Sequence, residues 1–316
     1  MIRTVGFIGL GNMGAPMASH VVRAGFTTVV ADLDPAKVAA LVADGAVAAI
    51  DTAAAAHDAD VVLTSLPGPA QVRAVGEQIV PAMRHGATWI DLSTNDLACA
   101  HHLADVAARH GIDLLDAPVT GGIEGARAGT LNVLVGGDVD VHRRCQPVLR
   151  AIGDRFDLIG PYGAGYTAKI SQVMLCYLNS VCLTEALLLG VKGGVAPDAM
   201  LDVIRNSTGR SYVADRYGPE ILAGTYDASF DLTLAAKDLR LALELAEDVG
   251  ATLDFTARVS ELYRDAEARF GPMAPHLIAM REIEEANDLV LHEHERTTAY
   301  PERPEPQRTE HERMAP

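Results

Sequence analysis

The chain has 316 residues, enough for two domains of ordinary size, and 49% of them are apolar. Its 42 Asp and Glu outnumber its 26 Lys and Arg, a formal charge of −16, which argues against nucleic acid or an anionic membrane as a partner because both attract basic surfaces. Aromatic residues are only 5%, so the core is expected to rest on Ala, Val and Leu. No targeting pattern opens the sequence, and Cys99, Cys145, Cys176 and Cys182 show no C-x-x-C pairing. Reduced, mostly buried thiols in a soluble cytoplasmic protein are therefore expected.

Thr4 to Ile8 is an apolar run that reads as a buried strand. It breaks at Gly9-Leu10-Gly11-Asn12-Met13-Gly14, spaced G-x-G-x-x-G, and the pattern is helical from Met13 through Val22. Strand, glycine turn and helix in that order are the context a dinucleotide fingerprint requires. Gly9 permits the tight turn, Gly11 lets backbone N–H groups approach a pyrophosphate, and Gly14 lets helix and strand pack closely. The pyrophosphate would sit on the positive end of the helix dipole. A second strand, Phe26 to Asp32, ends in an acid close to the spacing expected of a carboxylate that binds the ribose hydroxyls of NAD. That carboxylate would repel a 2′-phosphate and no Arg follows it, so NAD is expected over NADP. The competing reading is an Asp that caps the helix starting near Pro35.

A helix over 35–44 and a short strand over 46–49 complete one βαβαβ half. Strands follow at 61–65 and 89–94, and their ends should lie beside the nicotinamide half of a cofactor, because ligands collect at strand C-termini in open sheets. The helix over 96–110 carries His101, His102 and His110 without Cys or carboxylate partners at ligand spacing, so no metal site is expected. One strand over 112–119 runs into Thr120-Gly121-Gly122 and a helix over 124–128. A hydroxyl followed by two glycines can offer several N–H groups to one anion, such as a substrate carboxylate; a plain turn with an N-cap has the same sequence. The last strands are expected at 132–135 and 156–159, with a helix over 139–151 between them.

From Gly163 the alternation of strands and helices stops. Tyr166 to Val191 is one apolar stretch long enough to cross a membrane, but Lys169, Gln172, Asn179 and Glu185 inside it point to a buried helix linking two domains. Further helices are expected at 197–205, 232–249, 253–269 and 275–289, and the charged, Pro-rich tail from His292 cannot bury enough apolar surface to order itself. The expected organisation is a doubly wound α/β domain over 1–162, an interdomain helix over 163–193, an all-α domain over 194–290 and a disordered tail over 291–316. Only Lys37, Lys169, Lys192 and Lys237 are lysines. In a chain that otherwise uses Arg, a retained Lys can mark a place where the amine must lose its proton, which a guanidinium cannot do. Lys169 and Lys237 are the two that do not read as surface residues.

With these pieces in place the chain resembles the β-hydroxyacid dehydrogenase family, which includes 3-hydroxyisobutyrate dehydrogenases and tartronate semialdehyde reductases. The likeness spans 1–290 and rests on F-I-G-L-G-N-M-G-A-P-M-A-S-H-V near the start, D-L-S-T at Asp91–Thr94 and D-A-P-V-T-G-G at Asp116–Gly122. It continues in G-x-x-x-K at Gly165–Lys169 and K-D-L at Lys237–Leu239. The resemblance implies an N-terminal Rossmann domain, a long interdomain helix, and an all-helical C-terminal domain that makes homodimer or homotetramer contacts. It implies Lys169 as the catalytic acid/base. Thr120, Gly121 and Gly122 would hold a small carboxylate substrate, with Ser93, Gln172 and Val173 also beside it. Met13, Leu66, Pro67 and Thr94 would border the cofactor with Gly9, Leu10, Gly11, Asn12, Gly14 and Asp32, and Lys237 would lie near cofactor and substrate.

One residue departs from the family pattern. Typical members carry an Asn four residues after the catalytic Lys, where this chain has Val173; Gln172 is the nearest polar residue that shares the helix face. A less polar pocket there suits a bulkier or more apolar β-substituent. The reaction expected is hydride transfer between NAD and a small β-hydroxyacid such as 3-hydroxyisobutyrate. An imine or ketone reductase on the same scaffold and a catalytically silent nucleotide-binding protein are the competing readings. A 6-phosphogluconate-type enzyme is disfavoured by length and by the lack of a clear basic phosphate cluster.

Overall fold

The computed structural model describes residues 1–293. Its first part runs β1 (Thr4–Ile8), α1 (Gly14–Arg23), β2 (Thr27–Ala31), α2 (Pro35–Ala43), β3 (Val47–Ala48) and α3 (Thr52–His57). β4 (Val61–Thr64), α4 (Pro69–Ile79), β5 (Thr88–Asp91), α5 (Leu97–His110) and β6 (Asp113–Asp116) follow. These six strands pair in parallel in the order β3-β2-β1-β4-β5-β6, the doubly wound arrangement. Ile8, Thr64, Asp91 and Asp116 are successive cross-strand neighbours, so the C-terminal ends of β1, β4, β5 and β6 form one level edge. Three strand spacings put the two ends of that row about 14 Å apart.

The strand expected over 112–119 divides in two. β6 stops at Asp116, Ala117-Pro118 turns the chain out of the main sheet, and β7 (Val119–Thr120) begins a second, three-stranded sheet. Pro118 has no N–H to give to a ladder, which is why the apolar run does not continue as one strand. After α6 (Gly122–Ala128), the next expected strand also divides. β8 (Leu131–Val133) joins the small sheet, and β9 (Val135–Gly137) extends the main sheet antiparallel to β6. α7 (Val139–Ile152) leads to β10 (Gly153–Arg155) beside β8 and β11 (Leu158–Gly160) beside β9. Side chains alternate across the main sheet. Phe7, Leu63, Ile90 and Leu115 pack under α1 and α7, while Ile8, Val62 and Trp89 pack under α3, α4 and α5.

From α8 (Ala164–Lys192) the described chain is helical: α9 (Pro197–Arg205), α10 (Tyr212–Arg216), α11 (Gly218–Ala223), α12 (Leu232–Val249), α13 (Asp254–Phe270) and α14 (Met280–Ala286). α10 and α11, of five and six residues, are too short to show a helical period in sequence. The helix expected over 275–289 begins as a 3-10 turn, His276–Ala279, before α14. α8 is the spine of this half, with Tyr177, Leu183, Leu187 and Leu188 buried against Leu239, Tyr263, Leu277 and Met280. Its 29 residues are long and apolar enough to cross a membrane, yet this side of it is core. Leu291 is 1% exposed and its amide donates to Glu284 Oε1, so packing continues past residue 290. The rest of the expected tail lies outside the described residues.

Two buried carboxylates place α8. Asp116, at the end of β6, accepts the Gly163 amide on Oδ1 and the Tyr166 amide on Oδ2, each at 2.8 Å. It therefore caps a helix whose own N-cap residue, Gly163, has no side chain to do so. On the neighbouring strand, Asp91 Oδ2 accepts the Tyr166 hydroxyl at 2.8 Å. Glycines clear the space: a Cβ on Gly136 would stand 2.3 Å from Asp116 Oδ1, and one on Gly165 would stand 2.3 Å from the Leu134 carbonyl. Burial pushes the Asp116 carboxyl up to about 6, against backbone N–H groups that favour its charged form. Asp116→Asn would set an amide NH2 against one of the two N–H groups it now accepts. A loss of about 1–3 kcal/mol in denaturant unfolding is expected.

Candidate active site

The glycine turn after β1 is built by sterics and one carboxylate. A Cβ on Gly14 would stand 1.9 Å from the Gly9 carbonyl, and one on Gly9, where φ is +92°, would stand 2.3 Å from the Ser65 carbonyl. Those two glycines serve the protein itself. Gly11 does not, because a Cβ there would meet nothing within 4 Å. The space beside it is open, and α1 starts at Gly14 without a side-chain cap, which leaves the Gly14 amide and the positive end of the helix dipole for an anion. Asp32 closes the turn from β2: Oδ2 accepts the Leu10 amide at 2.6 Å and Oδ1 accepts the Asp34 amide at 2.8 Å. Capping of α2 falls to Asp34, which accepts from Ala36, so the alternative role weighed for Asp32 belongs to its neighbour. A carboxylate oxygen has more than one acceptor site, and Asp32 keeps capacity for ribose hydroxyls. The turn, the uncapped helix start and the acid together fit a dinucleotide. Asn12 is exposed and Met13 half-buried, whereas the Leu10 side chain is only 1% exposed and can meet a ligand only through its backbone.

At the end of β5 a buried network fixes the adjacent loops. Trp89 Nε1 donates to Thr64 Oγ1, and the Thr64 hydroxyl donates to Asp91 Oδ1 at 2.7 Å. The Ser93 hydroxyl donates to the same oxygen at 2.6 Å and accepts the Leu66 amide at 2.9 Å. Ser93 is 4% exposed; its one proton goes to Asp91, and its oxygen holds the Leu66-Pro67 loop. Leu66 and Thr94 are half-buried at this edge and Pro67 is exposed.

Lys169 sits one turn beyond Tyr166 on α8, and its Nζ donates to the Val119 carbonyl at 2.9 Å. The side chain thus lies against β7, beside half-buried Thr120 and exposed Gly121 and Gly122. Burial above all pushes the amine below the ordinary lysine value; Lys237 adds to the effect as a like charge, while Asp238 works against it. Lys237 reaches from α12 to the Pro67 carbonyl at 2.9 Å, with Asp238 Oδ1 3.2 Å from its Nζ. Asp238 is 2% exposed, and its Oδ2 accepts the Tyr177 hydroxyl at 2.9 Å. The two lysines singled out by composition thus both bond carbonyls of the chain just beyond the C-terminal ends of β4 and β6. On the same face of α8, Val173 and Cys176 pack toward the helical core. Gln172, the polar residue nearest that position, is exposed.

Sequence reasoning quoted Asp91, Asp116 and Asp238 inside motifs without giving them a task. The signal was present for two of them, since a carboxylate that ends a buried strand needs donors nearby. Asp238 offers no such cue, because the donor that satisfies its Oδ2, Tyr177, comes from α8.

Comparisons with known proteins agree with this geometry. Residues 4–160 match the family described as the NAD binding domain of 6-phosphogluconate dehydrogenase. Residues 163–283 match the family described as NAD-binding of NADP-dependent 3-hydroxyisobutyrate dehydrogenase. The 2-(hydroxymethyl)glutarate dehydrogenase of Eubacterium barkeri is 39% identical over 268 residues, 84% of this chain and 89% of that one. The 3-hydroxyisobutyrate dehydrogenase of Pseudomonas aeruginosa is 36% identical over 269 residues, covering 82% and 90%. Among solved structures, Mycobacterium tuberculosis 3-hydroxyisobutyrate dehydrogenase with L-serine matches at TM-score 0.84 and 31% identity, over 90% of this chain and 99% of that one. The chain belongs to the β-hydroxyacid dehydrogenase family. It is an NAD(P)-dependent oxidoreductase acting on CH–OH donors, and its cofactor is NAD. Gly11→Val, with open space for its side chain, should move the melting temperature by less than about 2 °C. Fluorescence titration should show NADH binding weakened by roughly tenfold or more, because the side chain would fill the pyrophosphate approach.

Proposed function

We propose that this dehydrogenase oxidises a small hydroxymethyl carboxylic acid, HO–CH2–CHR–COO⁻, or reduces the matching aldehyde, with Lys169 exchanging the hydroxyl proton. The observation that carries the reading is the Lys169 amine, half-buried beside Thr120-Gly121-Gly122 and oriented by one hydrogen bond to the Val119 carbonyl. The two relatives' names support the substrate class, since in 3-hydroxyisobutyrate and 2-(hydroxymethyl)glutarate alike the hydroxyl is on the carbon β to a carboxylate.

Bound NAD supplies the acceptor for the hydride that leaves the carbinol carbon. Its pyrophosphate would rest on the start of α1 across Gly11, its ribose hydroxyls on Asp32, and its far end near Leu66, Pro67 and Thr94. The protein's own contribution is proton transfer and placement. Neutral Lys169 presents a lone pair to the substrate hydroxyl while donating to the Val119 carbonyl, and takes the proton as the hydride departs; in the reverse direction it returns that proton to the alkoxide oxygen. Thr120 and the amides of Gly121 and Gly122 hold the carboxylate. Lys237 ties α12 to the Pro67 loop, which keeps the helical half closed over this edge. Val173 gives R an apolar neighbour, favouring hydrocarbon substituents over polar ones.

Lys169→Ala is expected to lower kcat by roughly 10²–10⁴-fold with NADH affinity unchanged, and Lys169→Arg should not recover it because a guanidinium does not give up its proton. In the native enzyme kcat/KM for oxidation should rise with pH through an apparent pKa below the free lysine value of about 10.4, since only the neutral amine accepts a proton. Asp32→Ala should erase a preference for NAD over NADP in the ratio of kcat/KM values. Val173→Asn should improve substrates with small polar R relative to those with larger apolar R, measured across a panel of β-hydroxyacids.

A further inference from the structure

Two charged side chains of the helical half reach the sheet half on either side of Lys169. One is Lys237, on the Pro67 loop. The other is Arg216, the last residue of α10, whose Nη2 donates to Glu124 Oε1 at 2.9 Å across a sequence separation of 92. Glu124 lies in the first turn of α6, two residues past Gly122. The short turn Thr120-Gly121-Gly122 is therefore gripped on both flanks from the helical half, Val119 by Lys169 and Glu124 by Arg216. The grip matters because Gly121 and Gly122, with φ of +126° and +66°, carry no side chains of their own to fix the turn.

Arg216 is itself braced. Its Nη1 donates to Glu220 at 3.3 Å, Asp227 Oδ1 is 3.8 Å from Nη2, and the guanidinium lies 5.4 Å from the centre of the Tyr217 ring. Glu124 is 65% exposed, and a pair so open to water contributes little to stability, so holding the fold does not account for it.

We infer that Arg216 is a positioning residue for substrate binding. Acting through Glu124, it sets where the Thr120-Gly121-Gly122 turn stands relative to Lys169, and thereby the span between carboxylate and carbinol that the site accepts. The inference rests on the reading of that turn as the carboxylate site. Arg216 touches no reacting atom.

The test is steady-state kinetics on the full chain with NAD and 3-hydroxyisobutyrate, for Arg216→Gln, Glu124→Gln, the double variant and Arg216→Lys. Each Gln variant should raise the hydroxyacid KM roughly threefold and leave the NAD KM unchanged. The double variant should be no worse than either single, as for two members of one interaction, and Arg216→Lys should recover most of the loss. An unchanged hydroxyacid KM, additive losses in the double variant, or equal losses for both ligands with a lowered melting temperature would each overturn the role. Thr120→Val separates the two levels. If it raises the hydroxyacid KM while Arg216→Gln does not, the carboxylate turn stands and the positioning role fails. If Thr120→Val is also without effect, the carboxylate reading fails and takes the role with it.

Discussion

Two carboxylates buried at the ends of neighbouring strands hold the first turn of a long helix, and the chemistry of this protein depends on that hold. Asp116 accepts two backbone amides at the start of α8, and Asp91 accepts the Tyr166 hydroxyl from the same turn. Neither charge is cheap to bury, and burial pushes both carboxyls up. The donors that meet them are what make the arrangement tenable, and they come from the element that must be placed. Lys169 is three residues beyond Tyr166, so locating that turn locates the amine.

Electrostatics at the sheet edge is a balance of few charges. Burial and a second lysine favour neutral Lys169, while Asp238 opposes them from α12, where it also accepts from Tyr177. The proton-carrying role proposed for Lys169 needs this middle ground, because an amine held fully charged cannot accept and one held fully neutral cannot return a proton. The same polar contacts join the two halves of the molecule. Lys169 to Val119, Lys237 to Pro67 and Arg216 to Glu124 each cross from the helical half to the sheet-bearing half, so the charges near the site also join the two halves.

The glycines divide by purpose. Gly9 and Gly14 are demanded by backbone contacts inside the turn, and Gly136 and Gly165 by the capping carboxylate. Gly11 answers to no contact in the protein, and the space it leaves beside an uncapped helix start is the mark of a ligand. Val173 gives the opposite lesson: its departure from the family pattern leaves an apolar neighbour near Lys169, and the adjacent Gln172 stays in solvent. Substrate choice among close relatives turns on such single positions more than on the shared fold.

By itself the sequence determined whatever depends on neighbours along the chain. Periodicity marks β1, β2, β4 and the helices at 197–205 and 232–249; spacing marks the glycine turn and Asp32; an amine inside an otherwise apolar helix marks Lys169. Each is a local matter of backbone sterics or of one side chain against its nearest residues. The tertiary structure alone decided where the 112–119 run breaks, since Pro118 became a boundary only when a second sheet formed to receive β7. It also decided that Tyr166 meets Asp91, that Tyr177 meets Asp238, and that Arg216 meets Glu124. Those partners stand tens of residues apart, and a hydrogen bond or ion pair has no trace in sequence until the fold brings its two ends within about 3 Å.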